Sequence, residues 1–459
     1  VTIETESKTA KSSVLWAPDR RGPTMGILLL VTLVAFENMG VNTAMPKLVA
    51  DLHGESLYSW PFVAFLAASV IATVLSGRVS DRRGPVPSLL VGPALFFVGL
   101  IVAGTAQSMT MLLAGRVLQG LGAGAQVVAI YVLIALVYPQ RDRPAVFGAL
   151  SGAWVLPSLI GPALSGVITE NLSWRVVFLG LAPLVLLGLL LLVPVLRRLP
   201  AHVAGDTVVR RGLTLAAIAA GVGVAGLSWA AEHPSLPSLA LGVAAIAVLA
   251  PALRTLLPTG TLLARRGLPV TILARALLAG TYFGVSAYLP LTLVAVHGYS
   301  IALAGVPLTV GALGWSSASA WQARHPDLAR STLLRWGFVL LAVGTAGLTL
   351  VAPSWSSPWL ALPFSVIAGA GMGLGTSSVS VLTLAGSSAA DRGFNSAAMQ
   401  IADMLGSAIM IGLGGALVSA LASTRLPTAA IVPFDLLMAA LAVLGAVLTG
   451  PRARVDSVA

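Results

Sequence analysis

Five charged residues stand in stretches that are otherwise apolar: Glu37, Arg116, Arg275, Asp403 and Asp435. An ionisable group at the centre of a membrane span costs about 2.5 to 3.5 kcal/mol on insertion scales, so each needs a partner or a task. Glu37 lies midway along GILLLVTLVAFENMGVNTAMP, and Arg116 lies in MTMLLAGRVLQGLGAGAQ. Helical spacing puts Arg116, Gln119, Ala123 and Gln126 on one side, a polar stripe with a small residue for clearance. Burial favours the neutral carboxyl and a nearby guanidinium favours its anion. A Glu37 balanced between the two can therefore exchange a proton near neutral pH; the other reading is a fixed Glu37/Arg116 ion pair that only joins two helices. Further on, Ser396, Gln400, Asp403 and Ser407 share one helical face. There Asp403 is either a second proton or cation-substrate site, or a hydrogen-bonded aspartate that stabilises helix packing. Arg275 and Asp435 sit towards the ends of their segments and are expected to reach the membrane interface.

The elements that position these groups follow from composition. Hydrophobic residues make up 57% of the 459 positions and charged residues 9%, far from a water-soluble domain. A hydrocarbon core about 30 Å thick needs about 20 mostly apolar residues per helical span. Fourteen such runs occur, at 24–46, 59–79, 86–106, 109–137, 143–169, 174–196, 211–231, 236–256, 269–296, 301–322, 332–352, 357–385, 393–422 and 427–450. They are continuous rather than alternating, which argues for helices over barrel strands. The predicted fold is an all-α polytopic membrane protein with 14 transmembrane helices.

Lys and Arg accumulate in cytoplasmic loops, and here every second loop is basic. Arg20 and Arg21 precede span 1, and Arg78, Arg82 and Arg83 follow span 2. Arg141 and Arg143 follow span 4, Arg197, Arg198, Arg210 and Arg211 span 6, and Arg254, Arg265 and Arg266 span 8. Arg324, Arg330 and Arg335 follow span 10, Arg392 follows span 12, and Arg452 and Arg454 stand in the tail. The intervening loops hold essentially Lys47, Arg175 and Arg425. The expectation is a multi-pass protein of the cell (inner or plasma) membrane with both termini in the cytoplasm. This placement accounts for the net charge of +11 without a nucleic-acid partner. With no cysteine and five scattered histidines, no thiol chemistry, metal site or cofactor is expected. The polar start VTIETESKTAKSS lacks a signal-peptide pattern, so span 1 is read as retained. The excess of arginine over lysine, 24 to 3, suits a GC-rich bacterial source.

An internal repeat organises the spans. GVNTAMPKLVADLHG at 40–54 lies on GVSAYLPLTLVAVHG at 284–298, and RVLQGLGAG from Arg116 lies on SVIAGAGMG from Ser365. Span 1 thus corresponds to span 9 and span 4 to span 12. Two pseudo-symmetric six-helix bundles result, 24–196 and 269–450, joined by a connector at 197–268 that carries two inserted helices. Short cytoplasmic segments, 1–23 and 451–459, flank them. The positions equivalent to Glu37 and Arg116 are Thr281 and Ser365, so the charged pair belongs to one half only.

These motifs carry a resemblance. GRVSDRRG at 77–84 resembles the loop signature of the major facilitator superfamily, RVLQGLGAG its span 4 pattern, and GPALSG at 161–166 its antiporter signature. ENMGVNTAMP is similar to the span 1 signature of the fourteen-span drug:proton antiporters; SWRVVF at 173–178 and AYLPLTLVAVHGYS at 287–300 fit the same group. Pro85 and Val86, Pro157, Ser165 and Glu37 depart from the pattern, and WQARHPDLAR has lost the loop's glycine and aspartate. The resemblance implies a non-enzymatic, proton-coupled secondary transporter that exports hydrophobic or amphipathic compounds such as drugs by alternating access. Glu37, Arg116 and Asp403 would couple protons. Gly77, Asp81, Arg82, Arg83 and Gly84 would form the conformational loop, and Gly161, Pro162 and Gly166 the tightly packing antiporter helix. The substrate would meet Asn38, Asn42, Gln119, Gln126 and Gln400, with Tyr131, Trp154, Tyr282, Phe283 and Tyr288 as aromatic lining unless they serve packing. A monomer is the expected state. The alternatives are an exporter of lipid or lipid-linked substrates, a channel, or a membrane sensor; an ATP-driven pump has no GxxxxGK[ST] loop to support it.

Overall fold

A computed structural model describes residues 15–17, 20–199, 212–388, 391–421, 429–449 and 453. The expectations for Arg210, Arg211, Arg425, Arg452, Arg454 and most of the segments 1–23 and 451–459 lie outside the described residues.

In hydrocarbon a backbone must satisfy its own polar groups, which leaves the helix as the unit. Among the described residues fourteen helical segments are long and apolar enough to cross a membrane. They are α1 Arg21–Asp51, α2 Trp60–Arg83, α3 Val86–Gly104, α4 Met109–Val137, α5 Arg143–Asn171 and α6 Trp174–Leu196, the last in two pieces broken after Leu179. Next come α7 Leu213–Glu232 and α8 Leu236–Leu256. The second set is α9 Leu268–His297, α10 Ile301–Arg324, α11 Arg330–Leu348, α12 Ala361–Ala385, α13 Arg392–Leu421 and α14 Ile431–Thr449. Each coincides with a span expected from the sequence; the largest departure is α1, which runs through Pro46 to Asp51.

Packing repeats between the two sets. In the first, α1 lies against α5 and α6, α4 against α2 and α3, and α3 touches α6. In the second, α9 lies against α13 and α14, α12 against α10 and α11, and α11 touches α14. The contacts across the pair also exchange under the same two-fold: α5 meets α10, and α2 meets α13.

The repeated glycines explain how. Lipid offers no hydrophobic drive for helix association, so close backbone approach supplies the contact energy. A Cβ on Gly120 would collide with the Phe65 carbonyl of α2, and one on Gly124 with the Ser69 carbonyl. A Cβ on Gly122 would collide with the backbone of Phe96 on α3. In the second bundle Gly369, Gly373 and Gly371 stand in the same way against Gly311, Trp315 and Gly337. The partners keep a fixed offset, 311 − 65 and 315 − 69 both being 246.

The inserted α7 breaks the symmetry. It packs on α8, on α2 and on α13, so it covers the α2/α13 seam, whereas no inserted helix packs on the α5/α10 seam among the described residues. Arg78 Nη1 donates to Thr214 Oγ1 at 2.5 Å and fixes the start of α7 to the end of α2.

The two ends of the molecule differ as well. At the end with few arginines the bundles touch: a Cβ on Gly166 would lie 2.7 Å from Ala302 Cα, and the Tyr58 hydroxyl donates to the Ala287 carbonyl at 3.0 Å. At the arginine-rich end, a Cβ on Gly148 or Gly152 of α5 would meet nothing within 4 Å.

Replacing Gly120 or Gly369 by alanine should destabilise the fold by about 1 to 3 kcal/mol, the usual range for overpacking. Gly148→Ala should be neutral or mildly stabilising, because alanine is the better helix former. Thermal unfolding of the purified protein in detergent separates the two classes.

Candidate functional site

The most buried charges of the first bundle meet between α1, α2 and α4. Glu37 is sixteen residues into α1, about 24 Å from its start at 1.5 Å per residue, and thus near mid-membrane. Its side chain is fully buried, and its Oε1 accepts from Arg116 Nη1 on α4. Arg116 Nη1 also donates to Gln119 Oε1 at 2.8 Å, and Nε donates to the Pro61 carbonyl of α2 at 3.0 Å. Its guanidinium lies 4.4 Å from the centre of the Phe65 ring. One arginine thereby ties three helices, using the planar fork and the stacking face that lysine lacks.

The network leaves specific atoms over. Glu37 Oε2, Gln119 Nε2 and both amide atoms of Gln126 are buried without a hydrogen-bond partner among the described residues. Asn42 is buried close by on α1, and Asn38 is half-buried. In the second bundle the equivalent positions carry Thr281 and Ser365, whose hydroxyls are likewise buried and unpartnered. Ser365 lines a narrow cavity with Tyr282, Ser286, Pro307 and Thr345. Tyr282, one wall of the cavity, meets Phe283 and Trp315 edge to face, with ring centroids 5.4 and 5.6 Å apart.

A second ion pair lies in the C-terminal bundle, where Arg275 Nε on α9 is 2.7 Å from Asp403 Oδ1 on α13. This corrects the expectation that Arg275 reaches the membrane interface: a carboxylate one helix away offers it a better partner than a long reach to headgroups. Both side chains remain partly exposed, 18% and 23%, unlike the sealed Glu37/Arg116 pair. Asp435 is a second correction. It falls on the packing stripe of α14 with Ile431, Phe434 and Met438, and is buried instead of interfacial.

The remaining predicted residues divide. Tyr131 is 41% exposed, packs on Phe147 and reaches the Gln400 side chain on α13 across the bundles. Trp154 is exposed on α5. Tyr288 is fully buried; its hydroxyl donates to the Ile411 carbonyl at 2.6 Å and its ring packs on Tyr58 and Phe434, at the closed end. Gly77, Asp81, Arg82 and Arg83 occupy the last turns of α2, and Gly84, with φ of +76°, closes the helix by donating to the Ser80 carbonyl. Gly161 faces Met39 and Phe36 of α1 at ordinary contact distance, whereas Pro162 and Gly166 pack against Gly305 and Ala302 of α10. Ser165, where the signature has glycine, donates to the Gly40 carbonyl at 2.7 Å.

Sequence reasoning missed Glu232. It stands one residue beyond the span expected at 211–231 and reads there as an interfacial charge, yet it is buried at the end of α7.

The profile described as Major Facilitator Superfamily matches residues 27–411. The chain belongs to the Major Facilitator Superfamily. An uncharacterised MFS-type transporter of Mycobacterium tuberculosis is 30% identical over 394 residues, 81% of this chain and 55% of that protein. Multidrug resistance protein 3 of Bacillus subtilis is 31% identical over 169 residues, 37% of this chain and 33% of that protein. The chain spans about half the length or less of the curated relatives it matches. Among solved structures, an auto-inhibited POT family peptide transporter superposes with a TM-score of 0.70 at 16% identity, covering 95% of this chain and 98% of that one. The chain has the many-span membrane fold of that superfamily, and its Glu37/Arg116 pair joins α1 to α4 within the first bundle.

Breaking a buried ion pair from one side typically costs about 3 to 5 kcal/mol, while removing both charges is far milder. Arg116→Gln alone should therefore lower stability markedly, and the double variant Glu37→Gln with Arg116→Gln should recover most of the loss. Chemical denaturation of the two purified variants checks this.

Proposed function

We propose that the protein is a proton-coupled antiporter that exports hydrophobic or amphipathic compounds, with the two bundles rocking about a midplane site. The observation that carries this reading is Glu37: a fully buried carboxylate with Oε1 tied to Arg116 and Oε2 left without a partner. The free lone pairs of Oε2 can take a proton without first breaking the ion pair. Protonation then weakens the hold on Arg116, and α1, α2 and α4 lose a shared constraint. Asp403, paired with Arg275 and partly exposed, serves as a second proton or cation-substrate site in the other bundle.

Basic loops belong to the cytoplasm, so the arginine-rich end and both termini face inward and the closed end faces outward. Contacts at Gly166/Ala302 and Tyr58/Ala287, with the open surroundings of Gly148 and Gly152, then describe an inward-facing state. A compound entering from the cytoplasmic side meets Tyr131, Trp154 and Gln400 first, and aromatic faces suit flat or cationic ligands. The likeness to a multidrug resistance protein supports the efflux assignment.

Proteoliposomes challenged with a panel of lipophilic cations, neutral drugs and lipids should show substrate-induced proton movement with the first two classes. A response to lipids alone would favour the lipid-exporter reading, and conductance without proton coupling would favour a channel. Glu37→Gln should abolish proton-driven export while leaving a folded protein, as judged by gel filtration; normal export by this variant would remove Glu37 from the mechanism. Arg116→Ala should shift the pH optimum of transport, and an unchanged pH profile would make Arg116 purely structural.

A further inference from the structure

The last residue of the inserted helix α7 joins three parts of the molecule. Glu232 is 4% exposed. Its Oε1 accepts from Ser59 Oγ and its Oε2 from Trp60 Nε1 at 2.6 Å, both at the start of α2. Its backbone carbonyl accepts from Ser419 Oγ of α13 at 3.1 Å. Close approach of α13 is allowed by glycine: a Cβ on Gly415 would lie 2.5 Å from Glu232 Oε1, and one on Gly412 would collide with Ser228 Oγ of α7. One carboxylate thus holds the insert to the first bundle while its own carbonyl is held by the second.

The donors ask for an anion. Both carboxylate oxygens receive a hydrogen from α2, and charge-assisted bonds of this kind are roughly twice as strong as neutral ones. The start of α2 also presents the positive end of its helix dipole. A proton on the carboxyl replaces one of these acceptor sites with a donor, and Trp60 Nε1 has only a hydrogen to offer. The site lies on the α2/α13 seam at the arginine-poor end, where the bundles touch. Rocking the bundles open at that end separates α2 from α13 and must break one set of these bonds.

We propose that Glu232 is a proton-binding latch: its anion holds α2, α7 and α13 together and keeps the arginine-poor end closed, and its protonation releases that end. The latch rests on the rocking of two bundles proposed above, and requires no role for Glu37. Other titratable groups nearby are His233, whose ring stacks on Trp229 with centroids 4.0 Å apart, Glu55 in the short turn before α2, Tyr58 at that turn's end, and Tyr288 of α9. The half of α13 packed here carries no charged side chain, and the one arginine of α8, Arg254, lies at that helix's far end.

The chain has no cysteine, so spin labels go only where they are placed. Gln107→Cys in the turn between α3 and α4, and Ser354→Cys between α11 and α12, are exposed on opposite bundles at the arginine-poor end. Pulsed electron–electron distances in nanodiscs should show a longer-distance population that grows as the pH falls from about 8 to about 5 and the anion is lost. In Glu232→Gln that population should already be high at the upper pH, with the open-to-closed ratio raised about tenfold, as expected for losing one charge-assisted hydrogen bond. It should then barely respond to pH. Trp60→Phe and Ser59→Ala each remove one donor and should move the ratio the same way, which keeps the test intact if Glu232→Gln fails to fold. The response should persist in His233→Gln. Its loss there would assign the proton to His233 and overturn the latch, as would a wild-type response in Glu232→Gln, no effect of both donor variants, or distances in the unsubstituted pair that ignore pH. Failure of Glu37 as coupling residue would instead appear in the vesicle assay and leave these distances unchanged.

Discussion

Each bundle depends on how closely α4 and α12 can approach their neighbours. Lipid tails are as apolar as leucine, so helices gain little by hiding greasy side chains from them, and association rests on packing and polar contacts. Glycines at 120, 122 and 124 let α4 lie against the backbones of α2 and α3 at once, and those at 369, 371 and 373 do the same for α12 against α10 and α11. Alternate glycines point to opposite neighbours because two residues turn a helix by more than half a revolution. Position 116, one turn before Gly120, therefore faces the same α2 backbone, which is why Arg116 reaches the Pro61 carbonyl. The glycine ladder positions the guanidinium, and the guanidinium positions Glu37.

A symmetric scaffold with unsymmetric charge follows from the expense of burying ions. An intramembrane charge needs a partner at hand, and the ladder supplies the same geometry in both halves, so a pair placed in one half need not be copied. The second half keeps hydroxyls, Thr281 and Ser365, the latter lining a narrow cavity, and places its ion pair elsewhere, between Arg275 and Asp403. The two pairs differ in exposure. Glu37 and Arg116 are sealed, whereas Asp403 and Arg275 are partly exposed.

Most of the architecture was legible in the sequence because its signals are long: runs of apolar residues, alternating basic loops and the repeated GVxxx(M/L)P and RVLQGLGAG frames. The Glu37/Arg116 pair was legible too, since Glu37 lies midway along its span and Arg116 shares a polar helical face with Gln119 and Gln126. Arg275, Asp435 and Glu232 were not. All three lie within two turns of a span end, where sequence cannot tell a side chain that escapes to the interface from one that turns inward to a partner on another helix. Tyr288 illustrates the same limit for aromatics: its place on α9 was readable, but its hydrogen bond to Ile411 depends on how α13 crosses.

The inserted hairpin makes the two inter-bundle seams unequal. Where α5 meets α10, the closed end relies on small residues, Gly166 on Ala302 and Gly305 on the Pro162 carbonyl, and on the Glu170 carboxylate, which accepts from the Ala302 backbone N–H at 3.3 Å. Where α2 meets α13, the seam is covered by α7, fixed at one end by Arg78 to Thr214 and at the other by Glu232 to Ser59 and Trp60. Both fixings are to α2, and only the Ser419 bond and glycine contacts tie α7 to α13. In the rocking proposed above, opening this seam draws either on the Glu232 bonds to α2 or on the Ser419 bond to α13, so the insert bridges both bundles on this side. The insert reaches across one seam only, and the α5/α10 side has no such bridging helix among the described residues.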